Sequence, residues 1–126
     1  LRLTGQAGVI YSKGDAELSQ LSAYYPERFA EKFIGEPICT LQAMMNLLLD
    51  HPEVEVFIEP KSHSIEHFGV IPFMDNLLKE SECLGERRRI ISFHHDALAY
   101  ARQPNTEMAC SNIVWVISAV ICHNAV

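Results

Sequence analysis

The chain has 126 residues, the length of one ordinary domain, and its 48% hydrophobic and 21% charged residues exclude a wholly disordered chain. Ten Lys and Arg against sixteen Asp and Glu give a formal net charge of −6, which argues against nucleic-acid binding, because that requires a cationic surface. The longest apolar run, residues 113–122, is about half of the roughly 20 residues that span a bilayer. We therefore expect no nucleic-acid partner and no transmembrane segment.

The cysteines lie far apart and form no Cys-x-x-Cys pair. They are Cys39, Cys83, Cys110 and Cys122. At this density in a chain that can bury a core, free buried thiols are expected rather than disulfides, and a reducing, cytoplasmic compartment fits best. The chain begins at Leu1 rather than Met, so we expect that its start was processed or that it is a fragment, and the localisation stays open on that account.

The first forty residues contain few strong signals. Residues 9–11 predict a weak strand, Asp15 predicts the cap of a short helix, and the aromatic, proline-punctuated residues 23–38 predict a loop. Thr40 is a good helix cap before a clearer helix that Pro52 stops. Its apolar residues recur at helical spacing and are expected in the core: Leu41, Met44, Met45, Leu48 and Leu49.

Residues 54–59 form the strongest strand signal of the chain. Their alternation places Val54, Val56 and Ile58 on one face, with Glu55, Phe57 and Glu59 on the other. Pro60 ends the strand because proline has no amide to donate to a ladder. Ser64 then predicts the cap of a helical segment, which Gly69 and Pro72 divide into two or kink, with Phe73, Met74, Leu77 and Leu78 as its buried stripe.

The remaining elements continue the alternation. Arg87-Arg88-Arg89 could bind an anion, but a solvated loop before a second, buried strand at residues 90–93 is favoured. A helix at about residues 95–102, with Leu98 and Ala101 inward, and a third strand at 113–117 follow. Strands that alternate with helices predict a parallel sheet covered by helices. We expect a small open α/β domain or a piece of a larger one.

Glu59 is the residue that the strand pattern explains least. It ends a mostly apolar strand, and parallel α/β enzymes hold ligands and metals at the carboxyl ends of their strands. Lys61 follows two residues later. Such a pair could place a hard divalent cation beside an anionic oxygen, or it could be a solvated salt bridge at a strand end.

Five short segments, in order along the chain, carry a family resemblance. Ile58-Glu59-Pro60-Lys61 closes one strand and Ile91-Ser92-Phe93 closes the next, and upstream lie residues 1–8, 17–21 and 35–41. This ordered set, collinear from residue 1 to about Trp115, resembles the glycerophosphodiester phosphodiesterase family. The resemblance implies about half of a (β/α)₈ TIM barrel over residues 1–126, with parallel strands and covering helices. It also implies hydrolysis of glycerophosphodiesters to an alcohol and glycerol 3-phosphate.

The resemblance assigns roles to a few residues only. Glu59 matches a carboxylate of the family's divalent-cation site, for Mg²⁺ or Ca²⁺, and Lys61 matches a lysine near the metal and phosphate. Trp115 lies where the family has aromatic residues, so it either lines a substrate pocket or packs. The positions of the family's His-Arg, Glu-x-Asp and His-Asp motifs, which supply both catalytic histidines and further ligands, lie N-terminal to Leu1.

Two further departures and one alternative stand beside this interpretation. Pro60 replaces a usual aliphatic residue and is expected to bend the strand end, and residues 118–126 lose the expected helix pattern, which suggests an aberrant tail. The alternative is a non-catalytic α/β remnant that self-associates or binds a partner chain through open sheet edges. The isolated fragment is expected to be inactive.

The histidine clusters predict other sites only weakly. His94 and His95 are adjacent at a helix start and point about 100° apart, so an exposed helix start is favoured over a metal site or an unrelated enzyme built on them. His63 and His67 have chelating spacing, but a cap at Ser64 would leave His63 outside the helix.

Overall fold

The computed structural model describes residues 3–103, a mixed α/β and mostly helical arrangement with one parallel sheet. Its helices are α1 (Asp15–Leu18), α2 (Pro26–Phe29), α3 (Leu41–Leu49), α4 (Ser62–Phe68), α5 (Val70–Glu80) and α6 (His95–Ala101). Its strands are β1 (Val56–Ile58) and β2 (Arg88–Ile90), and 3-10 turns lie at Ile10–Ser12 and Glu82–Arg87. The predicted third strand at 113–117, Trp115 and the tail at 118–126 lie outside the described residues.

The N-terminal segment corrects three local predictions. Residues 9–11 form no strand but run into the 3-10 turn, and Gly14 rather than Asp15 occupies the N-cap of α1. There the Glu17 carboxylate accepts from the Gly14 amide at 3.0 Å. The expected loop at 23–38 contains the short helix α2. These elements are too short for hydrophobic periodicity to reveal them.

Helix α3 begins as predicted. The Thr40 side chain accepts from the Ala43 amide at 3.1 Å, which satisfies one of the free amides of the first turn. The expected core face is wrong in part, because Met45 is buried whereas Met44 and Leu49 are exposed. Helix α3 contacts α5 and the 3-10 turn Glu82–Arg87. Met45 is its one buried residue, so the face of α3 that is packed against other elements is narrow.

Strands β1 and β2 pair in parallel, and Ile58 is directly opposite Ile90. Both isoleucines pack against the main buried cluster on the helix side of the sheet. On the other face Phe57 is 53% exposed, which agrees with the predicted alternation. The first strand is shorter than predicted, at residues 56–58 rather than 54–59. Strand β2 begins two residues before, and ends three residues before, the strand predicted at residues 90–93. The sheet in residues 3–103 is thus a short open pair with one helix-covered face.

Two helices connect the strands, with a break where the sequence predicted one. Gly69 joins α4 to α5 at φ +85°, a conformation that side chains with a Cβ rarely adopt. Pro72 lies in the first turn of α5, where its missing amide costs nothing. The Ser64 cap is wrong, because α4 begins at Ser62 after Lys61.

The hydrophobic core lies between α4, α5 and α6 on one face of the sheet. Its buried cluster consists of Ile65, Met74, Leu77, Leu78, Ala97 and Ala101. The predicted stripe of α5 and the inward positions of α6 are therefore confirmed, with Phe73 half-buried at the edge. This packing fixes the carboxyl ends of β1 and β2 side by side above the core.

The arginine run is the largest error of the sequence interpretation. Arg88 is buried and donates to the Leu78 carbonyl at 2.6 Å and to the Ser81 hydroxyl at 2.8 Å. Arg87 donates to three carbonyls around the end of α3, those of Leu48, His51 and Val54. These side chains are structural ties between distant segments and not a solvated loop, because their guanidinium groups satisfy carbonyls that helix and turn ends leave free.

Candidate functional site

The candidate site is the edge of the sheet where β1 and β2 end. The last ladder bond runs from the Ile91 amide to the Ile58 carbonyl at 3.0 Å. Glu59 directly follows β1, and continuing the alternation of the strand by one residue puts it on the Phe57 side, away from the helix-covered core. Residues 59–61 and 92–94 therefore leave the sheet together, which is the arrangement that parallel α/β folds use for ligand sites.

Glu59 and Lys61 form an ion pair at this edge. The Lys61 Nζ lies 2.7 Å from Oε1 of Glu59. The Glu59 side chain is only 23% exposed and that of Lys61 is 68% exposed. The salt bridge that the sequence left open is thus present, with its carboxylate largely shielded and its ammonium in water. A lysine has three donors, so Lys61 can bind a second anionic oxygen without leaving Glu59.

A second ion pair at the opposite end of the same strand shows what is particular to Glu59. The Arg89 guanidinium lies 2.7 Å from Oε1 of Glu55, whose side chain is 51% exposed. That ion pair links the two strands across the sheet, so a structural role is sufficient to account for Glu55. Glu59 is instead paired with a lysine of its own strand end, and its carboxylate is more buried.

Ser92 joins the two strand ends. Its hydroxyl donates to the Pro60 carbonyl at 2.9 Å and accepts from the His94 amide at 3.1 Å. Pro60 is buried, so its carbonyl would otherwise lack water as a partner. The sequence interpretation used Ser92 only as part of a family motif and missed this role. The one available signal is a serine at the end of the second predicted strand, in a position to face the proline that ends the first.

His94 and His95 behave as the start of a helix. The Nδ1 atom of His94 accepts from the Ala97 amide at 3.4 Å, so the ring is the N-cap of α6. His95 is exposed in the first turn. The favoured interpretation of this pair as a helix start fits the structure, with His94 partly buried and His95 exposed.

His63 and His67 lie in the same helix, contrary to the expectation that His63 precedes it. Helix α4 begins one residue before His63, so the two rings are one turn apart. His67 stacks on the Tyr11 ring, with 4.2 Å between ring centroids. This contact attaches the N-terminal segment to α4 and accounts for His67 without a metal.

The metal prediction rests on one donor among the described residues and stays a prediction. A carboxylate is the ligand type that Mg²⁺ and Ca²⁺ prefer, and Glu59 supplies one. Within residues 3–103, however, no group of three His, Cys, Asp or Glu side chains could hold an ion. The described residues therefore do not make a complete cation site. Trp115, the other predicted substrate residue, lies outside them.

Two remaining observations bear on the predicted class of protein. No helix in the described residues is both long enough and apolar enough to cross a membrane. Cys39 and Cys83 are free thiols, as expected for the cysteines of this chain, but both are exposed rather than buried.

Comparison of the chain with protein-family models, with curated proteins and with solved structures finds no significant match. The family resemblance therefore stays a prediction from the residues quoted above.

Proposed function

We propose that the chain is part of a metal-dependent phosphoric diester hydrolase similar to the glycerophosphodiester phosphodiesterases, and that β1 and β2 are neighbouring strands of its (β/α)₈ barrel. The observation that carries the proposal is the Glu59–Lys61 pair at the carboxyl edge of two parallel strands. Barrel enzymes of this type hold their reacting groups at that edge.

The distribution of helices supports a barrel segment. The parallel strands are connected through α4 and α5, and the packed isoleucines show that these helices cover one face of the sheet. In a (β/α)₈ barrel the helices lie outside and the opposite face of the sheet points inward. By the alternation of the strand, Phe57 and Glu59 belong to that inward face. Phe57 is then a residue of the barrel interior. It is half-exposed because the strands that would face it across the barrel are not among the described residues.

Glu59 and Lys61 have distinct proposed roles at this edge. Glu59 contributes one carboxylate to a divalent-cation site, for Mg²⁺ or Ca²⁺, that other residues must complete. Lys61 holds the carboxylate and binds a phosphate oxygen of a glycerophosphodiester with its remaining donors. The acid–base histidines that the resemblance implies match no position of this chain, so hydrolysis requires groups other than those described.

The test is a titration of the isotopically labelled 126-residue chain with Mn²⁺, followed by paramagnetic broadening of backbone NMR signals. Paramagnetic broadening detects even the weak binding of Mn²⁺ by a single carboxylate, so an incomplete site is sufficient for this test. We expect broadening centred on residues 59–61 and 92, and we expect Glu59→Gln to remove it. Glu55→Gln is the matched control, because Glu55 has the same chemistry and an ion pair of the same length on the same strand. Broadening that survives Glu59→Gln, or that depends equally on Glu55, would contradict the ligand role.

A parallel titration with glycerol 3-phosphate tests Lys61. Lys61→Met should remove the chemical-shift changes at residues 59–61, whereas Lys79→Met, on the last turn of α5, should leave them unchanged. Equal effects of the two substitutions would show that the anion is attracted only by general positive charge, and the phosphate role of Lys61 would be lost.

The exposed aromatic side chains favour one second candidate. Phe57 on the sheet face and Phe93 just after β2 are 53% and 61% exposed. In a non-catalytic remnant these rings would be covered by a second chain bound at the sheet, and self-association would follow. Sedimentation of the 126-residue chain separates the two: concentration-dependent dimers that Phe57→Ser abolishes support the remnant, and a Phe57-independent state supports the barrel segment.

A further inference from the structure

Pro60 lies between Glu59 and Lys61 and interrupts the pairing of the two strand ends at that point. In a parallel ladder, after the Ile91 amide donates to the Ile58 carbonyl, the amide two residues beyond Ile58 donates back to the partner strand. That residue is Pro60, which has no amide. The segment that carries Glu59 and Lys61 thus loses its next backbone bond to the sheet.

The Ser92 hydroxyl replaces the missing connection. It donates to the Pro60 carbonyl at 2.9 Å, across 32 residues of sequence, in a partly buried setting. Its lone pair simultaneously accepts from the His94 amide at 3.1 Å. One hydroxyl therefore links the end of β1, the end of β2 and the start of α6.

We infer that Ser92 is a positioning residue of the candidate site, and this inference rests on the proposed function. Its hydroxyl holds the Pro60 carbonyl, and thereby the flanking Glu59 and Lys61, in a fixed position relative to the end of β2. Ser92 touches neither cation nor phosphate. Its effect on ligand binding passes through the Pro60 backbone, because a carboxylate on an untied strand end must be ordered before it can bind.

The experiment measures two properties of the 126-residue chain, namely the NMR order parameters of the Glu59 and Lys61 amides without metal and the Mn²⁺ affinity from paramagnetic broadening. We expect Ser92→Ala to lower the order parameters and to weaken Mn²⁺ binding about tenfold, in the range seen for other partners that orient metal ligands. Ser92→Thr, which keeps the hydroxyl, should restore both. Ser64→Ala, a serine substitution in α4, should change neither.

A double-variant comparison distinguishes loss of the Ser92 hydrogen bond from general unfolding of the chain. Pro60→Ala returns an amide to the strand end, so the loss caused by Ser92→Ala should be smaller in a Pro60→Ala chain than in the original. Equal losses in the two backgrounds would overturn the proposed replacement of the ladder bond.

The outcomes separate this inference from the proposed function. If Mn²⁺ binds at Glu59 and Ser92→Ala changes neither order nor affinity, the positioning role is wrong and the proposed function stands. If Ser92→Ala lowers order but the original chain binds no Mn²⁺, the positioning of residues 59–61 stands and the metal role is wrong. Lowered order with unchanged Mn²⁺ affinity overturns the positioning role, since Ser92 would then be only structural.

Discussion

The Tyr100 hydroxyl donates a 2.5 Å hydrogen bond to Oδ1 of Asp75 and so joins α6 to α5 beside the core. This bond to a carboxylate, with smaller contributions from desolvation and from the negative charge of Asp75, raises the pKa of Tyr100 above its ordinary value of 10.0. The bond favours the neutral phenol, because ionised tyrosine would have no proton to donate and would face a like charge.

The raised pKa predicts loss of stability at alkaline pH. The unfolded chain ionises Tyr100 near pH 10, below the pKa of the folded state, so this contribution is complete below that pH and is lost as pH rises through the folded pKa. Tyr100→Phe should flatten the fall in unfolding free energy above pH 10 in urea titrations. Tyr11→Phe is the control, because the contact of Tyr11 with His67 uses the ring. A profile that Tyr100→Phe leaves unchanged would contradict this prediction.

Substitution of the buried Arg88 should destabilise the fold. Arg88→Met keeps most of the side-chain volume but removes donors from the Leu78 carbonyl and the Ser81 hydroxyl. Leaving a buried polar group unsatisfied costs about 1–3 kcal/mol, so the midpoint of urea unfolding should fall accordingly. Arg102→Met, at the exposed end of α6, should shift the midpoint little. Comparable shifts for both variants would show that only net charge matters.

Gly69→Ala should destabilise the chain through its backbone rather than through a clash. An added Cβ would meet Pro72 Cγ at 3.6 Å, which is ordinary contact, but φ of +85° and ψ of 146° is a conformation that alanine avoids. Strain of this kind costs about 1–3 kcal/mol, measurable as a lower thermal midpoint. Gly14 has φ of −77° and open space around it, so Gly14→Ala carries no such backbone strain and should lower the thermal midpoint less than Gly69→Ala does. A Gly69→Ala chain as stable as the original would show that α4 and α5 can join differently.

The 126-residue chain should not hydrolyse glycerophosphocholine with either Mg²⁺ or Ca²⁺. No position of the chain matches the acid–base histidines that the resemblance implies, and without them proton transfer to the leaving group is missing. The measurement is release of glycerol 3-phosphate by the purified chain, with Glu59→Gln as its control. Turnover that Glu59→Gln abolishes would show that the chain carries its own acid–base groups.

Local sequence signals predicted the elements whose stability is decided within a few residues. The Thr40 cap, the break at Gly69, the end of β1 before Pro60 and the buried stripe of α5 all follow from side chains that act on their own turn or strand. The Glu59–Lys61 pair was also foreseeable, because two residues at a strand end are near each other in any fold.

The sequence by itself therefore determined the parallel α/β order, the start of α3 at its Thr40 cap, the break at Gly69 and the unusual carboxylate after β1. Only the tertiary structure decided that Arg88 is buried, that Met44 is exposed beside a buried Met45, and that Ser92 reaches Pro60. The physical reason is that an arginine, a methionine or a serine takes its environment from partners far away in the chain. Arg88 is buried because carbonyl and hydroxyl oxygens at the end of α5 satisfy its guanidinium, and Ser92 reaches Pro60 because parallel pairing brings the two strand ends together.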